Sequence, residues 1–231
     1  RDLRDGMLVA KAFGIETVTV DLSQTKDALM AAVTAAHPVA ENAAVNVAPR
    51  LRMATLYAVA QTRGALVAGT GNRSERYLGY FTKWGDGACD VNPIADLTVR
   101  EVYKLLRYLH APEPIINKQP SAGLFEGQTD EAEMGVRYDE VDEALLCGAP
   151  MPEKAQRMHA ASAHKLRMPL AYGEEADGPR AVAHNKKAPA WGTIHKEDVP
   201  SGVALSFRVA VRFLIMFFSF DKSEDWLDYR I

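Results

Sequence analysis

Residues 65–75 read Ala-Leu-Val-Ala-Gly-Thr-Gly-Asn-Arg-Ser-Glu, an apolar run that gives way to glycine and small polar groups. A short, continuously apolar stretch bounded by Gly64 and Gly69 predicts a strand buried on both faces, as strands of a parallel sheet are. Its polar continuation predicts a loop at the carboxyl end of that strand. Upstream, a helical pattern carrying Leu3, Met7, Leu8 and Ala12 runs to Phe13 and stops at Gly14. Ile15, Val18 and Val20 then favour a strand over residues 15–21. Helical periodicity resumes over 24–36 and over 43–63, where Pro49 interrupts it and Gly64 supplies the stop. Thr98-Val99-Arg100-Glu101 is a capping-box pattern, and Val102, Leu105, Leu106 and Leu109 form one face of the helix it opens. Pro112 and Pro114 close that helix. A loop rich in Pro, Gly and acids covers 111–137, and further helical patterns lie near 139–146 and 152–164. Helices alternating with short buried strands predict an α/β fold, a parallel sheet sandwiched between helices. Ligands in such folds bind beyond the carboxyl ends of the strands, so chemistry is expected in the loop that begins at Thr70.

Composition narrows the classes. A chain of 231 residues suits one domain, with or without an appendage. Its 48% hydrophobic and 25% charged residues are ordinary for globular proteins, which excludes disordered, collagen-like and coiled-coil readings. A net charge of -3 argues against a nucleic-acid binder that works by neutralising many phosphates. No apolar run reaches the roughly 18 residues of a membrane span, and Arg1-Asp2-Leu3-Arg4-Asp5 is no signal peptide, so a cytoplasmic protein without membrane contact is expected. Cys89 and Cys147 are too few to complete a zinc site alone and read as packing residues in a reducing compartment. After about residue 170 the character changes. Residues 171–200 read as a polar linker, and over 203–213 apolar residues alternate at strand period. The expected organisation is an α/β domain over 1–170, followed by a linker and C-terminal extension of unknown role over 171–231.

The densest cluster of special residues spans 69–96. Gly79, Gly85 and Gly87 allow the main chain to approach a ligand closely. Thr70 and Ser74 offer hydroxyls, Glu75 a hard oxygen suited to magnesium, and Lys83 a point charge for phosphate or carboxylate. The same residue types fill any exposed loop, so their presence alone defines no reaction.

The order and spacing of longer motifs is more specific. GTGNRSERYLGYFTKWGDGACDVNPIADL, then KQPSAGLFEGQTDEAEMGVRYDEVDEAL, then HKLRMPL resembles the ammonia-dependent NAD synthetases and the synthetase domain of their glutamine-dependent relatives, over roughly residues 5–170. The resemblance implies a sandwich of the adenine nucleotide alpha hydrolase-like (NAD synthetase) type. It also implies a ligase that takes deamido-NAD, ATP and ammonia to NAD, AMP and pyrophosphate through an acyl-adenylate, with Mg2+ as cofactor and a homodimer as the assembly. Carried over position by position, Thr70 and Ser121 match residues that contact ATP, and Glu75 matches a magnesium-binding carboxylate. Arg50, Lys83, Asp90, His164 and Lys165 match residues that hold deamido-NAD, while no residue is assigned a catalytic role. The reaction's physical demand fits such a set, because two anions must meet and the site must supply cations and fixed geometry.

The chain departs from the family in four places. No SGGxDS loop, the family's amide cradle for the ATP pyrophosphate, occurs in the 231 residues. Val99 stands where the family has a lysine that reaches ATP, and the adjacent Arg100 points about 100° away on a helix. His110 stands at a helix end where the family favours glycine, and the extension beyond 170 matches nothing in the family. The first departure leaves two readings open: a fragment of a longer gene product, or a catalytically impaired dinucleotide-binding homologue that lost the loop. Residues 203–213 are a candidate to fill the resulting gap in the sheet or to add at its edge. Another amide-forming ATP pyrophosphatase, such as a GMP-synthetase relative, is disfavoured by the GDGACD and QTDE motifs.

Overall fold

The computed structural model describes residues 2–120 and 129–169 together with the backbone of 226–229. In chain order the elements are α1 (Asp2–Phe13), β1 (Val18–Asp21), α2 (Ser23–Ala36), α3 (Glu41–Ala44), α4 (Val47–Arg63), α5 (Arg73–Leu78) and α6 (Val99–Tyr108). They continue with α7 (Glu113–Ile116), α8 (Asp130–Met134), α9 (Tyr138–Cys147), α10 (Glu153–Ser162), a 3-10 turn (Ala163–Leu166) and β2 (Trp226–Tyr229).

Pro49 does not break α4, because it falls in the first turn, where its missing N–H would lack an intrahelical partner anyway. The expected helix over 43–63 instead divides before it, at Val45 and Asn46, into α3 and α4. Gly64 closes α4 at φ +63°, and His110, beyond the end of α6, adopts φ +55°. That left-handed conformation explains how a histidine occupies a helix end suited to glycine. Thr98 caps α6 as its sequence predicts: its side chain accepts from the Glu101 N–H, and Glu101 accepts from the Thr98 N–H at 2.9 Å.

Among the described residues, three apolar clusters hold the helices together, the smallest of them Val9 of α1 against Ile115 of α7. Leu78, Met134, Val136, Tyr138, Val141 and Ala155 join α5, α8, α9 and α10. Ile94, Val102, Leu106, Ala111 and Ile116 join α6 and α7, and Phe13 of α1 packs against them. By contrast, α2 buries none of its residues.

Among the described residues, sheet structure is sparser than the sequence predicts. Val67 and Ala68 are buried, but Ala65 and Leu66 are exposed, and the segment makes a single parallel bridge, Ala68 to Val91, in place of a fully covered strand. The reason lies in the hydrogen bonds: Val91 N donates to Val67 O at 3.2 Å and Gly69 N to Val91 O at 2.6 Å, and these two bonds make the one bridged pair. β1 covers the second half of the expected 15–21 strand and pairs antiparallel with β2, Val18 opposite Tyr229 and Asp21 opposite Trp226. The expected linker and the alternating segment 203–213 lie outside the described residues. Among the described residues no helix is long and apolar enough to cross a membrane.

Candidate functional site

The loop beyond the Ala68–Val91 bridge is built as a helix start. Asn72 caps α5 with a reciprocal box: its Oδ1 accepts from the Glu75 N–H at 2.9 Å, and Glu75 Oε2 accepts from the Asn72 N–H at 2.9 Å. A carboxylate in the first turn of a helix is where the dipole favours negative charge. Gly69 has no room for a side chain, since a Cβ there would lie 2.5 Å from Cys89 Sγ. Half-buried Cys89 is therefore a packing residue, its thiol pushed above its ordinary value by burial, with Arg76 acting in the opposite sense.

A buried polar hub backs this loop. Ser74 Oγ donates to Asp142 Oδ1 at 2.5 Å, Val99 N donates to Ser74 Oγ at 3.2 Å, and Arg100 N donates to Asp142 Oδ2 at 2.7 Å. Asp142 of α9 thus binds α5 to the amino end of α6 from a position only 1% exposed. Burial raises its pKa, against the lowering effect of those hydrogen bonds. Arg100 itself turns to α9, where its guanidinium meets Glu143 at 2.8 Å and the Asp139 carbonyl at 3.4 Å. Val99 packs against the Leu78–Val141 cluster. Neither side chain therefore replaces the family lysine.

The second loop, 79–90, is tied to the 3-10 turn by lysines. Lys165 Nζ donates to Gly79 O at 2.7 Å and Phe81 O at 2.8 Å, and Lys83 Nζ donates to His164 O at 2.5 Å. Three of the residues matched to deamido-NAD binding, Lys83, His164 and Lys165, therefore stand together. Asp90 lies apart from them. Its carboxylate accepts from Val67 N at 2.7 Å and Tyr57 OH at 3.3 Å, bracing the bridge segment against α4. Arg50 is exposed on α4, two residues before the buried Arg52 and on the opposite side of the helix. A narrow cleft of about 20 Å³ lies between α4 and the two loops: Pro49, Arg52 and Met53 of α4 face Gly69, Thr70, Gly85, Asp86 and Ala88 across it, with Lys83, Asp90, His164 and Lys165 outside its lining. Thr70 of the first loop and the glycine turn of the second therefore line one cleft. Ser121 lies outside the described residues.

Tyrosines close the side near α8. Tyr138 OH donates to buried Asp130 at 3.3 Å, and burial, followed by the negative charge of Glu75, holds its phenol well above the ordinary value. Tyr80 OH donates to Glu133 at 2.7 Å, and burial together with that bond likewise keeps its phenol protonated. Tyr103 is pushed up to about 12 by burial and by Asp130, and its OH donates to Lys118 O. Sequence reasoning did not single out Arg52, Asp142 or Tyr138. The signal for Asp142 was its place within Tyr-Asp-Glu-Val-Asp-Glu, where Val141 and Asp142 sit side by side facing the interior.

The likeness to solved synthetases places the chain among α/β proteins of the adenine nucleotide alpha hydrolase-like class. The NMN synthetase of Francisella tularensis shares this fold at TM-score 0.69 and 38% identity, covering 74% of this chain and 73% of that one. The NAD+ synthetase of Burkholderia pseudomallei matches at TM-score 0.50 and 35% identity, over 65% of this chain and 60% of that one. In sequence, the NH(3)-dependent NAD(+) synthetase of Carboxydothermus hydrogenoformans is 46% identical over 173 residues, 73% of this chain and 71% of the relative. That of Alkaliphilus metalliredigens is 44% identical over 180 residues, again 73% of this chain. Residues 1–171 match the NAD synthase family, and the chain belongs to it.

Proposed function

We propose that this chain is an ammonia-dependent NAD synthetase, a ligase that amidates the nicotinate carboxylate of deamido-NAD at the expense of ATP. The observation that carries the reading is the family match over residues 1–171, with the GTGNRSE loop and the FTKWGDG loop lining one cleft. A carboxylate cannot expel oxide, so it first attacks the α-phosphorus of ATP. Pyrophosphate leaves, ammonia adds to the acyl-adenylate carbonyl, and AMP departs with the shared oxygen while a proton passes to solvent.

The chain's residues supply position and charge. Lys83 and Lys165 already ligate main-chain oxygens of the loop and the 3-10 turn, so their ammonium groups fix the wall on which the dinucleotide lies. Arg50, exposed on α4, offers a guanidinium fork to carboxylate or phosphate. Asp90 supports the segment leading to Thr70, and Thr70 is assigned to offer ATP a hydroxyl. Ser121 is assigned to the ATP side on its motif. Magnesium fits the donor set: such ions take one or two protein carboxylates and draw their remaining ligands from phosphates and water, and Glu75 supplies one carboxylate in the first turn of α5. When bound, the ion would offset repulsion between the reacting anions.

A homodimer belongs to the same reading. It is supported by the unburied α2, where Leu29 and Val33 are about two-fifths exposed, beside the apolar groove between α2 and α4. A cytoplasmic setting is supported by two cysteines that both remain thiols. The division into a synthetase domain over 1–170 and an appended 171–231 is supported by the extent of the family match.

The test is incubation with deamido-NAD, ATP, Mg2+ and ammonium, with AMP and NAD measured together. Equal yields of both support the enzyme. Dinucleotide binding without AMP favours the impaired binding homologue. A second reading, amidation of the mononucleotide, is favoured by the TM-score of 0.69 to the Francisella NMN synthetase. Substituting nicotinate mononucleotide in the same assay and comparing kcat/KM decides between the substrates.

A further inference from the structure

Resting on the pyridine-nucleotide reading, we propose that Trp84 is a substrate-binding residue whose indole face stacks on the pyridine ring. Trp84 has φ +63°, in the left-handed region that a bulky side chain enters only at a cost, and glycine would fit there without strain. Trp84 nevertheless stays 46% exposed, so close to half of the residue remains open to a ligand.

The loop around it leaves no freedom for the strain to relax. Thr82 O accepts from Gly85 N at 3.0 Å and from Gly87 N at 3.1 Å, and Thr82 N donates to Asp86 Oδ1 at 3.1 Å. A Cβ at Gly85 would lie 2.8 Å from Pro49, and one at Gly87 would lie 2.5 Å from Phe81, so the turn is pressed against α4 on one side and Phe81 on the other. An aromatic ring held outward from so constrained a turn is preorganised for a flat ligand. Lys83 Nζ lies 5.2 Å from the indole centroid while donating to His164 O, which sets the ring among the cations that hold the dinucleotide. A pyridine carboxylate laid on the indole would place its ring on a π face and its charge toward an ammonium. An electron-poor pyridine ring suits an electron-rich indole.

The test compares the full chain with Trp84→Gly and Trp84→Phe. Titrating deamido-NAD into the full chain should quench tryptophan emission, and Trp84→Phe should remove that quench while keeping most of the affinity. Trp84→Gly should raise the dissociation constant about tenfold, the scale of one base–aromatic stack. Unchanged affinity in Trp84→Gly, a quench that survives Trp84→Phe, or a loss of dimer in Trp84→Gly would each overturn the assignment. The titration reads binding, so it reports on Trp84 even where AMP formation fails and the synthetase reading falls with it.

Discussion

Replacing Gly79 by alanine tests how closely α10 is pressed onto the end of α5. Gly79 closes α5 at φ +67°, and a Cβ built there falls 2.0 Å from both Cβ and Oγ of Ser162. Left-handed backbone in a residue with a Cβ costs about 1–2 kcal/mol. Forcing an extra methyl into packed atoms adds about 1–3 kcal/mol. A loss of about 3 kcal/mol follows, which for a chain of this size lowers the melting temperature by about 10 °C at roughly 2–4 °C per kcal/mol. Gly148 is the control: its φ is +72°, but a Cβ there meets nothing within 4 Å, so Gly148→Ala carries the strain without the clash. Melting both variants by circular dichroism, together with the double variant Gly79→Ala/Ser162→Gly, separates the two contributions. The double variant should recover the clash share. Should Gly79→Ala melt no lower than Gly148→Ala, the close approach of α5 and α10 is wrong.

Other expectations are as concrete. Burial raises the Asp142 pKa above its ordinary 3.8, so the folded chain holds that proton more tightly than the unfolded chain does. The stability contributed by this group is fully present below 3.8 and is lost as pH rises through the higher folded value. Asp142→Asn removes the titration, and urea unfolding should show the variant gaining on the parent between pH 4 and 7, on the order of the carboxylate titration range; a pH-independent difference would defeat the argument. Thr98→Ala removes a fully buried cap of α6 and should cost about 1–2 kcal/mol in the same assay, with no effect contradicting the capping geometry. Glu75→Gln keeps an acceptor for the Asn72 N–H but loses the charge. It should leave the melting temperature within about 2 °C while raising the Mg2+ needed for AMP release about tenfold or more, as loss of a charged ligand implies.

The sequence was most informative where local chemistry decides the outcome. The cap at Thr98, the stop at Gly64 and the helices at 138–147 and 153–162 follow from residues within a few positions of one another, whereas the cap at Asn72 emerged only from the structure. The Ala65–Gly69 segment was over-read, because an apolar run reveals burial but not how many neighbours it pairs with, and among the described residues only Ala68 finds one. The partner of β1 comes from residues 226–229, a contact that no local pattern near Val18 encodes. For the candidate site, the motifs identified Lys83, His164 and Lys165, which the fold brings together, and Asp90, which stands apart beside Tyr57 and Val67. They did not reveal that the lysines engage main-chain oxygens, nor that Asp142 and Arg52 are buried behind the loops, because those facts depend on how separate helices approach each other.

The Asp142 hub has a consequence for how the molecule breathes. The leading amides of a helix ordinarily exchange with solvent deuterium almost at once, having no partner inside the helix. Here the Val99 and Arg100 amides end on groups that belong to α5 and α9, so releasing either one means parting three helices together. Those two protons should persist as long as the interior of α9, making the front of α6 one of the slowest-exchanging places in the chain and joining the cleft's rear wall into one cooperative unit.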